Sequence, residues 1–136
     1  MAAPSSQLDQ QAAIYVSIVS ANRETLDGLQ SYLGNAGVPS HCVRTLKNME
    51  RIAPQCATAA VLFPDDFEVD AAVALVRELR RTRPKLLALI VTREPHRFRD
   101  VVRGDGRSLR PILLPRPSFG WEILDAIRAY ADTEQI

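Results

Sequence analysis

The sequence predicts an α/β domain in which a single (βα)5 chain forms a doubly wound, mainly parallel sheet. Three observations point there. Short apolar runs recur at Ile14–Val19, Ala57–Phe63, Leu86–Val91 and Ile112–Leu114, with a weaker one at His41–Thr45. Amphipathic stretches of helical period separate them. The first and fourth runs are apolar almost throughout rather than alternating, as strands covered on both faces are. Regular alternation of this kind puts helices on both sides of one sheet.

The elements follow in order. Residues 1–12 are polar and aperiodic and read as a flexible tail. Ile14–Val19 is the first strand. Asn22 is placed to cap the next helix, with Glu24 in its first turn. Leu26, Leu29, Leu33 and Ala36 fall on one face, and Gly37 is a stop. Thr45 is a candidate cap for a second helix with inner residues Leu46, Met49 and Ile52, ended by Pro54. Asp65, Asp66, Glu68 and Asp70 lead into a long helix with a stripe of Val69, Ala72, Val73, Val76 and Leu79. Arg77, Arg80, Arg81 and Arg83 close that helix, and acid-then-base order suits its dipole. The stretch 93–110 is polar and Arg-rich, with room for a short helix around His96–Arg103 and a turn at Gly104–Gly106. Ser118 is a candidate cap for a last helix bearing Ile123, Leu124, Ile127 and Tyr130. One domain over residues 13–132 accounts for the pattern, with 133–136 as a C-terminal tail.

Composition limits the function. The chain has 136 residues, enough for one domain and its core. Apolar residues at 46% and charged residues at 24% exclude a wholly disordered chain. A net charge of +1 argues against bulk binding to nucleic acid or an acidic membrane. The longest apolar run falls far short of the ~20 residues a membrane span needs. The N-terminus lacks the basic-then-apolar pattern of a secretory signal, so the cytoplasm is the expected location. Cys42 and Cys56 show no CxxC spacing and are expected as reduced, partly buried thiols. High alanine and arginine use fits a bacterial source.

The strand ends carry a family resemblance. Ile18-Val19-Ser20-Ala21-Asn22, with Leu29, Leu33 and Gly37 downstream, resembles the start of a response-regulator receiver domain. Thr92 at the end of the fourth strand resembles that family's switch threonine. Leu113-Leu114-Pro115-Arg116-Pro117, followed by Ile123 and Ile127, resembles its last strand, Lys-Pro step and last helix. The resemblance covers almost the whole chain and implies a flavodoxin-like, receiver-like fold.

It also implies a site, and this sequence departs from it. A receiver accepts a phosphoryl group on an aspartate at the end of its third strand, beside Mg²⁺ held partly by an acidic pair after the first. Those pair positions hold Ser20 and Ala21, which offer one neutral oxygen between them where Mg²⁺ favours carboxylates. Phe63, Pro64 or Asp65 takes the acceptor position, depending on gap placement. Arg116 replaces the lysine with a broader cation. Leu113 stands at the aromatic switch position, and only Thr92 is retained. This combination resembles a degenerate receiver, or pseudo-receiver. In the family the bond before the proline is often cis, which bears on Arg116–Pro117, but the residues alone leave the isomer open.

Several residues carry two readings. Asp65 and Asp66 are an acceptor and its neighbour, or else cap and first-turn acids of the third helix. Arg116 is a candidate partner for a carboxylate such as Asp65. His41 and His96 are far apart and read as surface or loop residues. No Ser-His-Asp set, P-loop or GxGxxG is present, so no enzyme, cofactor or metal is expected. The face formed in receivers by the fourth helix, fifth strand and fifth helix serves dimerisation and output contacts. Here it would combine Arg97, Arg99 and Arg103 with Phe119 and Trp121, residue types enriched at interface hot spots.

The expected function is therefore a stand-alone pseudo-receiver. It would be a phosphorylation-independent interaction or scaffold module in bacterial signal transduction, with a protein partner or a second copy on that face. Two alternatives stand beside it. One is a phospho-accepting regulator using Asp65 or Asp66. The other is a nucleotide or small-ligand binder at the carboxyl ends of the strands, where open α/β sheets place ligands.

Overall fold

The computed structural model describes residues 14–103 and 111–134. The tail at 1–12 and the glycine turn at 104–106 lie outside them. Five strands, β1 (Val16–Val19), β2 (Ser40–Val43), β3 (Ala59–Leu62), β4 (Leu87–Thr92) and β5 (Ile112–Pro115), form one sheet. Their order is β2-β1-β3-β4-β5, and every neighbouring pair is parallel. All five carboxyl ends therefore lie along one edge. The strand order reverses between β1 and β3, which opens a crevice at that point of the edge.

The helices are α1 (Arg23–Asn35), α2 (Met49–Ile52), α3 (Val69–Thr82), α4 (Arg99–Arg103) and α5 (Gly120–Glu134). Asn22 caps α1 through Oδ1, which accepts from Thr25 N at 3.1 Å. Gly37 ends the following turn at φ 81°, a left-handed conformation that a side chain would resist. The period-two alternation of the strands sorts the core. Val16, Ile18, Val61, Leu89 and Val91 face α1 and α5. Val19, Ala60, Leu62 and Ile90 face α3 and its neighbours.

Several boundaries differ from the sequence expectation. α2 is a single turn capped by Asn48, whose Oδ1 accepts from Arg51 N at 3.2 Å, so Thr45 is not its cap. Leu75 takes a buried place on α3, while Val73 packs only partly against the core. α5 continues through Glu134, beyond the expected tail boundary at 133. Ser118 does not cap it: its hydroxyl donates to the Pro115 carbonyl. Instead Phe119 N donates to Glu122 Oε1 at 2.9 Å, a carboxylate reaching back from the first turn.

The arginines at the end of α3 do more than complement its dipole. Arg80 Nη1 donates to the Val101 carbonyl of α4 at 2.6 Å. Arg83 Nε donates to the Ala53 carbonyl at 3.1 Å. Arg81 pairs with Glu78 one turn earlier. His41 also departs from expectation. The register sets it opposite Ser17, and it is half-buried rather than a surface or loop residue. Its Nε2 lies 2.5 Å from the Arg51 carbonyl, an acceptor only, so Nε2 carries the proton. Nδ1 lies 3.0 Å from the Tyr15 hydroxyl. Cys42 and Cys56 are free thiols; Cys42 is half-buried as expected, but Cys56 is exposed rather than partly buried.

Candidate functional site

The site forms where β1, β3, β4 and β5 end together. Val19 pairs with Leu62, so the next step along both strands sets Ser20 beside Phe63. Phe63 N donates to the Val19 carbonyl at 3.0 Å, which holds that junction closed. Pro64 then fixes a single 3-10 turn, Pro64–Asp66. That turn is the decisive local feature. It carries the backbone of Asp65 along the surface while both acidic side chains turn back toward the sheet.

The two carboxylates meet a complete set of donors. Thr92 Oγ1 donates to Asp65 Oδ1 at 2.7 Å, and Arg93 N donates to Asp65 Oδ2 at 2.9 Å. Thr92 Oγ1 in turn accepts from Glu94 N at 3.0 Å. Ser20 Oγ donates to Asp66 Oδ2 and accepts from Asn22 N at 3.0 Å. Arg116, the residue that follows β5, completes the cluster. Its Nη1 lies 3.3 Å from Asp66 Oδ1 and 3.8 Å from Asp65 Oδ2. Its own N donates to the Thr92 carbonyl at 3.1 Å, and its guanidinium stands 5.5 Å above the Phe63 ring. Ser20 and Thr92 are fully buried. The side chains of Arg116, Asp65 and Asp66 are only 16%, 18% and 13% exposed, so water screens the charges weakly. The peptide bond after Arg116 is cis.

Asp65 and Asp66 are thus neither cap nor first-turn acids of α3. Glu68 precedes that helix and Asp70 supplies its first-turn charge. Of the eight sequence-predicted pocket residues, Ser20, Phe63, Asp65, Asp66, Thr92 and Arg116 converge. Pro64 heads the turn, and Ala21 is exposed at the entry to α1. Leu113 packs against the α3 side of the core.

Mg²⁺ does not fit this donor set. All four carboxylate oxygens already accept from fixed donors, and a guanidinium occupies the place of positive charge between them. Among the described residues no group of three or more His, Cys, Asp or Glu side chains could hold a metal ion.

Comparison with known proteins turns on this topology. No family model and no curated protein matches the sequence. Solved structures do match over nearly the whole chain. A response regulator receiver domain protein (CheY-like) from Methanospirillum hungatei JF-1 superposes with a TM-score of 0.75 at 14% identity, covering 90% of this chain and 96% of that one. A receiver domain protein from Clostridium thermocellum gives 0.74 at 11% identity, with 90% and 97% covered. A putative pilus assembly-related protein from Burkholderia pseudomallei K96243 gives 0.70 at 20% identity, with 90% and 92% covered.

The fold is that of a receiver domain. The resemblance read from the strand ends holds at that level, since identities this low speak for architecture alone. In receiver terms, the site described above lies at the carboxyl edge of the sheet, on the loops that follow β1, β3, β4 and β5.

The expected partner surface is distributed differently from the sequence reading. Arg97 pairs with Glu94 at 3.1 Å and borders a hollow of about 390 Å³ beside Asp65, Phe67 and Phe98. Arg99 is exposed at the start of α4. The side chain of Arg103, with Arg107 and Arg110, lies outside the described residues. Phe119 and Trp121 instead stack on each other, centroids 6.3 Å apart and planes within 9°. Phe119 borders a different groove, shared with α1.

Sequence reasoning missed the Arg93 N–H, the donation from the Ser20 hydroxyl to Asp66, and Tyr32. A backbone donor leaves no mark in a sequence. The paired aspartates straight after a strand-ending proline were the available signal for the rest. Among the described residues, no helix is long and apolar enough to cross a membrane.

Proposed function

We propose that this chain is a phosphorylation-independent protein–protein interaction module of signal transduction, a pseudo-receiver without catalytic residues of its own. The observation that supports this is the Asp65–Arg116–Asp66 cluster. In the receiver reading, Phe63 takes the acceptor position beside Ser20, and a phenyl ring offers no oxygen to phosphorylate. Asp65 lies two residues further on, with both oxygens already engaged by Thr92, Arg93 and Arg116. Phosphoryl transfer depends on a metal and on clamps that stabilise developing charge. Here an internal carboxylate already sits on the clamp donors, and a covalently held cation replaces an exchangeable one. Such a cluster has one settled arrangement and no means of being reset by phosphate.

Incubation with acetyl phosphate and Mg²⁺, followed by intact-mass spectrometry, tests this. An unchanged mass is expected. A stoichiometric adduct on Asp65 or Asp66 would overturn the proposal in favour of a phospho-accepting regulator. A nucleotide screen by thermal shift, run alongside, is expected to show no stabilisation at micromolar ligand.

A further inference from the structure

We infer that the groove between α1 and α5 docks a partner segment carrying an arginine or lysine next to an apolar side chain. The inference rests on the reading of this domain as an interaction module and names the surface and the chemistry of its partner.

Three features argue for it. The first is unburied aromatic area. Phe119 is 68% exposed and Trp121 55%, and Tyr32 on α1 is also exposed. Stacked aromatic faces left in water are costly and are typical anchors of protein interfaces. The second is shape. The groove beside Phe119 has a volume of about 420 Å³, with apolar walls from Leu29, Tyr32, Phe119 and Ile123. Its two glycines act in opposite ways. A Cβ on Gly120 would meet the Tyr32 ring at 2.7 Å, so the missing side chain lets α5 start hard against α1. A Cβ on Gly28 would meet nothing within 4 Å, which leaves the α1 wall open to an incoming group.

The third feature is charge, and it selects the occupant. Two charged residues border the groove, Glu24 and Arg116. Arg116 is tied to Asp65 and Asp66. Glu24 is exposed, and no described cation pairs with it. The free charge at the rim is therefore negative, and the π faces of Phe119 and Trp121 also attract cations. A guanidinium or ammonium set between Glu24 and Phe119 meets both, while its apolar neighbour fills the groove. An acidic segment would meet repulsion from Glu24, and the one described cation that borders the groove, Arg116, is held by Asp65 and Asp66.

Trp121 is the sole tryptophan of the chain, so its emission reports the patch directly. The probe is a set of short synthetic peptides pairing arginine with leucine at successive spacings, plus the same set with glutamate replacing arginine. Saturable change in Trp121 emission is expected with arginine peptides and not with their glutamate counterparts. Glu24→Gln and Phe119→Ala should each weaken binding by about fivefold, the scale of one exposed charge or cation–π contact. Both positions are exposed, so circular dichroism should show the variants folded as the parent.

Failure of every arginine peptide to saturate overturns the inference, as does equal binding by the glutamate set or indifference to both substitutions. So does emission that changes with protein concentration alone, alongside a sedimenting dimer that Phe119→Ser abolishes, since the occupant is then a second copy. If the peptides fail while acetyl phosphate leaves the mass unchanged, the groove assignment falls and the proposed function stands. A phosphoryl adduct removes the proposed function whatever the peptides do.

Discussion

Phe63 and Arg116 border both the strand-end cluster and the α1–α5 groove, and the two regions treat their chemical groups in opposite ways. In the cluster every polar group finds a partner inside the molecule. Two carboxylates, a guanidinium, two hydroxyls and the Arg93 N–H satisfy one another with little water. In the groove, large aromatic surface and the Glu24 carboxylate, which no described cation pairs with, are left facing solvent. A receiver fold concentrates its chemistry at the strand ends. Here that edge is closed upon itself, and the unsatisfied surface lies on the helices beside it. Internal satisfaction gives a rigid element, whereas external incompleteness gives a reason to bind.

The largest expected effect comes from opening the closed region. Arg116→Met would leave Asp65 and Asp66 adjacent, mostly buried and without a cation. Breaking a mostly buried pair from one side should cost roughly 2–3 kcal/mol, a little below the fully buried case. Urea denaturation at neutral pH measures it, and an unchanged midpoint would break the contrast drawn above. Combining Arg116→Met with Asp65→Asn sharpens it. Coupling of about 0.5–2 kcal/mol is expected between groups in one network. Simple additivity would mean that Asp65 and Arg116 do not interact in solution.

A smaller pair of effects probes the open region. Gly120→Ala drives a methyl into the Tyr32 ring and should cost about 1 kcal/mol, near the low end for overpacking because Tyr32 is partly free to move. Gly28→Ala enters empty space on the same groove and should stabilise α1 by about 0.5–1 kcal/mol. Thermal melts of the two variants should therefore move in opposite directions. Equal losses would mean that the α1–α5 contact is loose and the groove poorly defined.

The smallest effect concerns the thiols. Burial, with a lesser contribution from the Asp27 charge, pushes the Cys42 thiol above its ordinary pKa. Cys56 is exposed on a loop. Iodoacetamide should label Cys56 first at neutral pH, and Cys42 should need a higher pH to form its thiolate. Peptide mapping of a brief labelling reads the order. Prior labelling of Cys42 would show that its surroundings open in solution.

Much of the architecture was legible because it rests on short-range physics. Apolar runs marked the strands, Asn22 and Gly37 marked the ends of α1, and Pro54 marked the end of α2. Caps failed where a rival donor or acceptor stood nearby. Asn48 displaced Thr45, and the Glu122 carboxylate did what Ser118 was expected to do. Within the site, the residues were nameable from their places at strand ends, but their partners were not. Asp65 and Asp66 looked like helix-start acids because charge order along a helix is a local pattern. Their actual partner, Arg116, lies about fifty residues away, directly after β5. His41 looked like a loop residue until the register set it opposite Ser17.

By itself, the sequence determined a parallel α/β sheet, the residues at its carboxyl edge and the absence of a carboxylate at Ser20 and Ala21. These follow from side-chain type, period and neighbour-scale turns. Only the tertiary structure decided that the remaining acids close on Arg116, and that Phe119 faces Tyr32 across a groove apart from Arg97. Both depend on which strand ends and helix starts become neighbours. Parallel pairing and crossover packing bring those together at separations that no local pattern encodes.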